Sequence, residues 1–347
     1  PGRGLLDMKS GLAAGIVALE RFAALADPPA NLLFVATPDE ENRSRGMISL
    51  RNALPEIASR FDLDIIGGIN LDATSDEGDG SDGRALYLGS VGKNSPFAFV
   101  IGCPTHAGYA FNGISAHLIS AEIVRAVEFN AALCDDAFGE TSPAPVCLEG
   151  RDVRHGYEVT TPAHVWLSFN WLTHRRSSTE VLAEFRAIVE RALQTALDTQ
   201  RRNAERFLAG QGKPSPLTYA GRVLTFAELR GMLAQKDGQS RARLDALEAR
   251  LAGENDPLAI SRELVSLAVR ELGIEGPAVV IGFSSLHYPL VHIDRAGASG
   301  HDFHARLRAA VATIQTRYRT TIATKQFFAG ISDMSFFGHK PEAADSR

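Results

Sequence analysis

Asn31-Leu-Leu-Phe-Val-Ala-Thr37 runs directly into Pro38-Asp-Glu-Glu41, so an apolar run ends in three consecutive carboxylates. The run is short, continuously apolar and bounded by breakers, the pattern of a buried strand. Like charges crowded at a strand end repel one another unless a cation holds them or solvent screens them. A charge run of this kind is also what a solvated acidic turn looks like. Repetition tips the balance, because the same arrangement occurs twice more. Upstream, Gly2-Arg-Gly-Leu-Leu-Asp7 ends in an acid and is followed by a helical pattern from Ser10 to about Ala26, with Leu12, Ile16, Leu19 and Phe22 on one face. Downstream, Asp64-Ile-Ile-Gly-Gly-Ile-Asn-Leu-Asp72 is a third apolar run ending in an acid. Strands and helices alternating in this way spell an α/β sheet. Ligands in such sheets gather in the crevice outside the carboxyl ends of the strands. Asp7, Glu40 or Glu41, and Asp72 are therefore expected to converge on one crevice. Hard carboxylates there suit divalent metal ions, and a bridging carboxylate suits two.

Gly-Arg-Gly-Leu-Leu-Asp-Met-Lys-Ser-Gly at residues 2–11, a helix and then Pro-Asp-Glu-Glu resemble the M20 family of dinuclear metal amidohydrolases and peptidases. Thr105-His106-Ala107-Gly108 with Asn112-Gly113-Ile-Ser-Ala116 resembles the lid signature of that family. Three later segments are similar to its arginine-utilisation, RocB-type branch: Ser168 to His174, Phe283 to Pro289, and Phe327 to Phe337. The resemblance implies a mostly parallel-sheet catalytic domain of zinc-aminopeptidase type, with an inserted α+β, ferredoxin-like lid that also dimerises. It implies two divalent ions, zinc first, with cobalt or manganese as alternatives. By the same resemblance Asp7 bridges the two metals, Glu40 is the general base, Glu41 is a terminal ligand and Asp72 ligates the second metal. His106 is an oxyanion-stabilising group reaching toward the active site, commonly that of the other subunit. Asn170, Arg175 and Asp333 are expected near the substrate. A lone His in a turn is more often a surface group, and Asn170 with Arg175 could equally be a strand-end polar pair.

The division expected from the pattern is a first catalytic part at 1–91, a lid and dimerisation domain at 92–210, a helical insertion at 211–275 and a second, truncated catalytic part at 276–347. The lid pattern is strand, helix, strands, helix, with its helices on one face. Ser177 or Ser178 is a plausible N-cap with Glu180 early in the last helix. The insertion has three helical patterns and no evident chemistry. At 347 residues there is ample chain for two cores. A net charge of −5 argues against nucleic acid or an anionic membrane as the main partner. No apolar run is long enough to span a bilayer. Three unclustered cysteines read as reduced thiols of a cytoplasmic protein. The loop Asp76 to Gly83 lacks the closing Glu of a calcium loop and reads as a solvated acidic loop. His287, His292, His301 and His304 lack zincin spacing and read as core and surface histidines.

Complete members of the family carry a His-x-Asp segment before the motif at Asp7 and a further metal-binding His near the C-terminus. Nothing precedes Pro1, and His339 comes too soon and in the wrong context, so the sequence reads as an internal piece of a longer enzyme. The expected activity is metal-dependent hydrolysis of an amide or peptide bond in an amino-acid derivative or small peptide, in arginine or amino-acid catabolism. The alternative is a catalytically silent relative that binds an amino acid or a partner. Intact Asp7, Glu40, Glu41 and Asp72 speak for the enzyme.

Overall fold

A computed structural model describes residues 4–41, 43–154, 156–212, 218–254, 256–284 and 287–337. His339 lies outside the described residues, as do Gly2 and Arg3 of the first motif. Among those described, the α-helices are α1 (Ser10–Ala23), α2 (Arg45–Phe61), α3 (Ala116–Val127), α4 (Ser178–Ala209), α5 (Phe226–Lys236), α6 (Gly238–Leu251), α7 (Pro257–Leu272) and α8 (Gly297–Tyr318). The chain divides into two compact units. One comprises residues 1–92, 138–140 and 288–347; the other comprises 93–137 and 141–287.

The second unit is built on a six-stranded sheet. Its central strand, Pro96–Ile101, is buried at every residue, as a strand covered on both faces must be. It pairs antiparallel with His164–Thr173 on one side and Ala278–Phe283 on the other. Alternation then sorts the side chains into two cores. Ala98, Val100, Val165, Leu167, Phe169, Val279 and Ile281 face α3 and α4, where Ile119, Ile123, Phe185 and Val189 complete the packing. Phe97, Phe99, Ile101, Trp166 and Val280 face the opposite way, against Leu229 and Leu233 of α5, Leu244 of α6 and Val265 of α7. Sequence alone places helices on one face only and reads α5 to α7 as a separate insertion. The structure differs because Phe97, Phe99 and Trp166 need cover from water, and those three helices provide it. Ala278–Phe283, read from sequence as the return to the catalytic half, also belongs to this sheet, and Arg222–Thr225 pairs parallel beside it. α3 stops at Val127, just before Phe129 takes a positive φ of 49°.

The first unit has helices packed on segments that form little sheet. Ala85–Tyr87 pairs parallel with Ala323–Lys325, and Gly89–Ser90 pairs antiparallel with Val291–His292. The runs 31–37 and 64–72, expected as buried strands, belong to no sheet. Their side chains remain half in water: Leu33 is 49% exposed and Ile66 62%. Without a ladder partner among the described residues, an apolar run has neither backbone bonds nor neighbours to complete its burial. Their placement is nonetheless that of an α/β layer. α1 turns Gly11 and Gly15, not Leu12 and Ile16, toward them; a Cβ on Gly15 would collide with the Phe34 ring, and one on Gly11 with the Leu71 carbonyl. Close approach of helix to chain here requires glycine. Gly67 makes the matching contact with Phe303 of α8.

Candidate metal and catalytic site

The acidic segment lies between the run 31–37 and α2. Its backbone is unusual, with positive φ at Asp39 (61°), Arg43 (65°) and Ser44 (50°). Non-glycine residues in that region are uncommon and concentrate where a chain is held for function. The Gly46 N–H donates to the Pro38 carbonyl and the Ser44 N–H to the Glu40 carbonyl, folding the segment back at the entry to α2.

This fold places Glu40 among acids. Partial desolvation first, then the charges of Asp333, Glu41, Asp72 and Asp7 in that order, push its carboxyl up from 4.5 to about 7. The first unit therefore brings all four expected carboxylate positions, and Asp333 with them, into one electrostatic neighbourhood. Asp7, Glu40, Glu41 and Asp72 are exposed, whereas Asp333 is only 5% exposed. Asp72 is oriented by the Ala73 N–H at 2.7 Å and by the Asn70 amide at 3.2 Å.

Sequence reasoning missed the polar frame around Asp333. Thr37 Oγ1 donates to Asp333 Oδ2 at 3.4 Å, and the buried Ser44 hydroxyl lies 3.2 Å from the phenol of Tyr288. Burial raises the Asp333 carboxyl, the hydroxyls of Ser44 and Thr37 lower it, and Asp72 raises it further, leaving it above the usual range. Burial also raises the Tyr288 phenol, with Glu40 and Asp333 adding to it. The sequence signals were faint: a Thr at the end of the apolar run, and a Tyr inside one of the branch-specific segments.

The donor chemistry suits a hard divalent cation. Carboxylates that repel one another and a buried Asp333 Oδ1 with no hydrogen-bond partner are what a bound positive charge would relieve. Among the described residues, however, no group of three His, Cys, Asp or Glu side chains is drawn together tightly enough to hold an ion. The other acid-rich loop is answered internally, since Lys325 Nζ reaches Glu77 at 2.5 Å and Asp79 at 3.5 Å. Nor do the late histidines form a ligand set. His292 is buried, stacked on Phe138 at 3.9 Å, and His304 pairs with Asp294 at 2.9 Å.

The remaining expected residues lie in the second unit. His106 is exposed at the start of a 3-10 turn, and its Nδ1 accepts the Gly108 N–H at 3.0 Å. Asn170 is half-buried in His164–Thr173. Arg175 is exposed, but its backbone is fixed, because the buried Asp135 carboxylate accepts the N–H groups of His174, Arg175 and Arg176, each at 2.8 Å. Burial alone would raise Asp135; these three bonds prevail and hold it below the usual range. Nothing in the sequence singled out Asp135.

The acids are thus gathered around Glu40 without forming a closed ligand set among the described residues, and comparison with known proteins gives the family. The profile of peptidase family M20/M25/M40 matches residues 1–345, and the chain belongs to that family. Protein YqjN of Bacillus subtilis (strain 168) is 31% identical over 99% of this chain and 62% of its own length. Protein RocB of the same organism is 32% identical over 55% of this chain and 34% of its own length. The chain thus spans less than two thirds of either relative. Among solved structures, aminopeptidase PepT from Bacillus cereus ATCC 10987 is similar at 16% identity, covering 61% of this chain and 57% of that one, with a TM-score of 0.36. No helix among the described residues is long and apolar enough to cross a membrane.

Proposed function

We propose that the protein is a metal-dependent hydrolase that cleaves the amide or peptide bond of an amino-acid derivative or small peptide. The observation that carries this reading is the gathering of Asp7, Glu41, Asp72 and Asp333 around a Glu40 raised to about 7. Asp7, Glu41 and Asp72 would hold two divalent ions, zinc first and cobalt or manganese as alternatives, with Asp7 shared between them. Such ions, when bound, acidify water and polarise a carbonyl. Glu40 takes the proton from the attacking water and returns it to the leaving amine, a task suited to a carboxyl whose affinity lies near neutrality. His106 supplies a donor: with Nδ1 accepting from Gly108, the neutral ring carries its proton on Nε2, the arrangement an oxyanion-stabilising group needs. Asn170 and Arg175 contact the polar ends of the substrate, and the unpartnered Asp333 Oδ1 offers an acceptor to a substrate donor. The likeness to RocB supports a role in arginine or amino-acid catabolism. The family resemblance supports a cytoplasmic protein that forms a homodimer through the lid at residues 92–210.

The deciding experiment is elemental analysis of the intact protein beside Glu40→Gln and Asp7→Ala variants, with hydrolysis of dipeptides and N-acyl amino acids measured in parallel. The expected result is about two divalent ions in wild type. Asp7→Ala loses them, while Glu40→Gln keeps them and loses about 100-fold to 10,000-fold in rate. A wild type that takes up no ion at micromolar supply would replace the hydrolase with the silent, amino-acid-binding relative.

A further inference from the structure

A cavity of about 870 Å³ lies wholly within the second unit, lined by the sheet and by α6 and α7. Five arginines line it: Arg151 and Arg154 from the sheet side, Arg250 at the end of α6, and Arg262 and Arg270 from α7. In a chain of net charge −5 this is a local reversal of sign. The arginines are unevenly matched with acids. Arg262 Nη1 holds both oxygens of Glu149 at 3.1 and 3.0 Å, and Arg151 must share that same carboxylate at 3.4 Å. Arg154 pairs with Asp152 at 2.6 Å, and Arg250 reaches Glu263 only at 3.5 Å. Arg270 makes no ion pair among the described residues. Glu275 also stands on the wall, so five arginines face Glu149, Asp152, Glu263 and Glu275, a surplus of one positive charge, and the least committed arginines are Arg151 and Arg270.

The floor has a different character. The ring of His164 stacks on Phe99 with centroids 5.3 Å apart and planes 30° apart, beside Val153 and Leu267. Burial holds the imidazole below its ordinary pKa, so near neutrality it is an uncharged, flat surface. Its ring nitrogens make no hydrogen bond among the described residues.

We propose that this cavity binds a phosphorylated small molecule carrying a flat ring, with Arg151 and Arg270 engaging the phosphates and the His164–Phe99 stack receiving the ring. Guanidinium groups fork onto phosphate oxygens through paired N–H donors, and a neutral aromatic stack accepts a planar group face on. Arg262 and Arg154, already committed to Glu149 and Asp152, shape the wall. The cavity shares no residue with the carboxylates around Glu40, so the inference stands apart from the hydrolase reading.

Calorimetric titration of the intact protein tests it, with EDTA present and ionic strength held constant. ADP, inorganic pyrophosphate and adenosine are compared on wild type, on an Arg151→Ala/Arg270→Ala double variant and on Arg125→Ala. Arg151 and Arg270 are exposed, so their truncation leaves both cores intact. Arg125, an exposed arginine on α3 paired with Glu122, controls for loss of a charge elsewhere in the unit. ADP is expected to bind, pyrophosphate about tenfold more weakly, and adenosine not measurably. The double variant should weaken ADP by about tenfold to 100-fold, the loss of charge-assisted hydrogen bonds, while Arg125→Ala leaves it unchanged. ADP binding that is absent, or that survives intact in the double variant, would overturn the site. Pyrophosphate matching ADP would overturn the part assigned to the stacked floor.

Discussion

Glu40 holds its proton to about pH 7 although it is exposed, because partial desolvation and four neighbouring carboxylates oppose its charge. The folded protein therefore binds this proton more tightly than the unfolded chain, whose value is near 4.5. Between those two values the folded state holds the extra proton, so the stability this site contributes is fully present below about 4.5 and is lost as the pH rises through about 7. In the metal-free protein, a carboxyl carbon titration followed by NMR should place the Glu40 midpoint near 7. Asp333→Asn, which removes the foremost of the neighbouring charges, should bring that midpoint down. A midpoint unmoved by Asp333→Asn would mean that Asp333 does not act on Glu40, leaving desolvation and the other three carboxylates to set it. Asp7, Glu40, Glu41 and Asp72 were legible because three apolar runs each end in acid. Thr37, Ser44 and Tyr288 were not, since hydroxyls that orient a buried carboxylate follow no spacing rule along the chain.

At the level of elements, local chemistry sets the starts of helices well. Ser177 accepts the Glu180 N–H while the Glu180 side chain accepts the Ser177 N–H, the reciprocal capping box expected for α4. The residues just before this cap depend on a distant partner, because Asp135 receives three consecutive N–H groups at 174–176. Ser177→Ala should cost about 1 kcal/mol in chemical denaturation, as for other caps. Asp135→Ala should cost more, about 2–4 kcal/mol, because it leaves buried donors without an acceptor. Equal losses in the two variants would show that the Asp135 clamp adds nothing beyond the cap. The runs 31–37 and 64–72 show the opposite limit. Their composition says strand, but a strand is completed only by a ladder partner, and composition cannot supply one.

For the molecule as a whole, the two units differ in how fully their apolar residues are buried. Pro96–Ile101, His164–Thr173 and Ala278–Phe283 lie between two helical layers, whereas Leu33, Ile66 and Ile69 stand in water. Amide hydrogen exchange should reflect this contrast. The three sheet strands should exchange only through global opening of their unit, and residues 31–37 and 64–72 should exchange orders of magnitude faster. Comparable protection of both sets would mean that the two runs find ladder partners in solution. Motif and period in the sequence determined the family, the α/β grammar and the acids that gather around Glu40, because acids closing apolar runs and helical repeats are written locally. Only the tertiary structure decided that α5 to α7 cover the second face of the sheet and that Ala278–Phe283 joins it. It alone placed Asp135 under the entry to α4 and set five arginines around one cavity. Each of these depends on which buried surface needs cover and which charge needs a partner, and those needs are met by residues far apart in the chain.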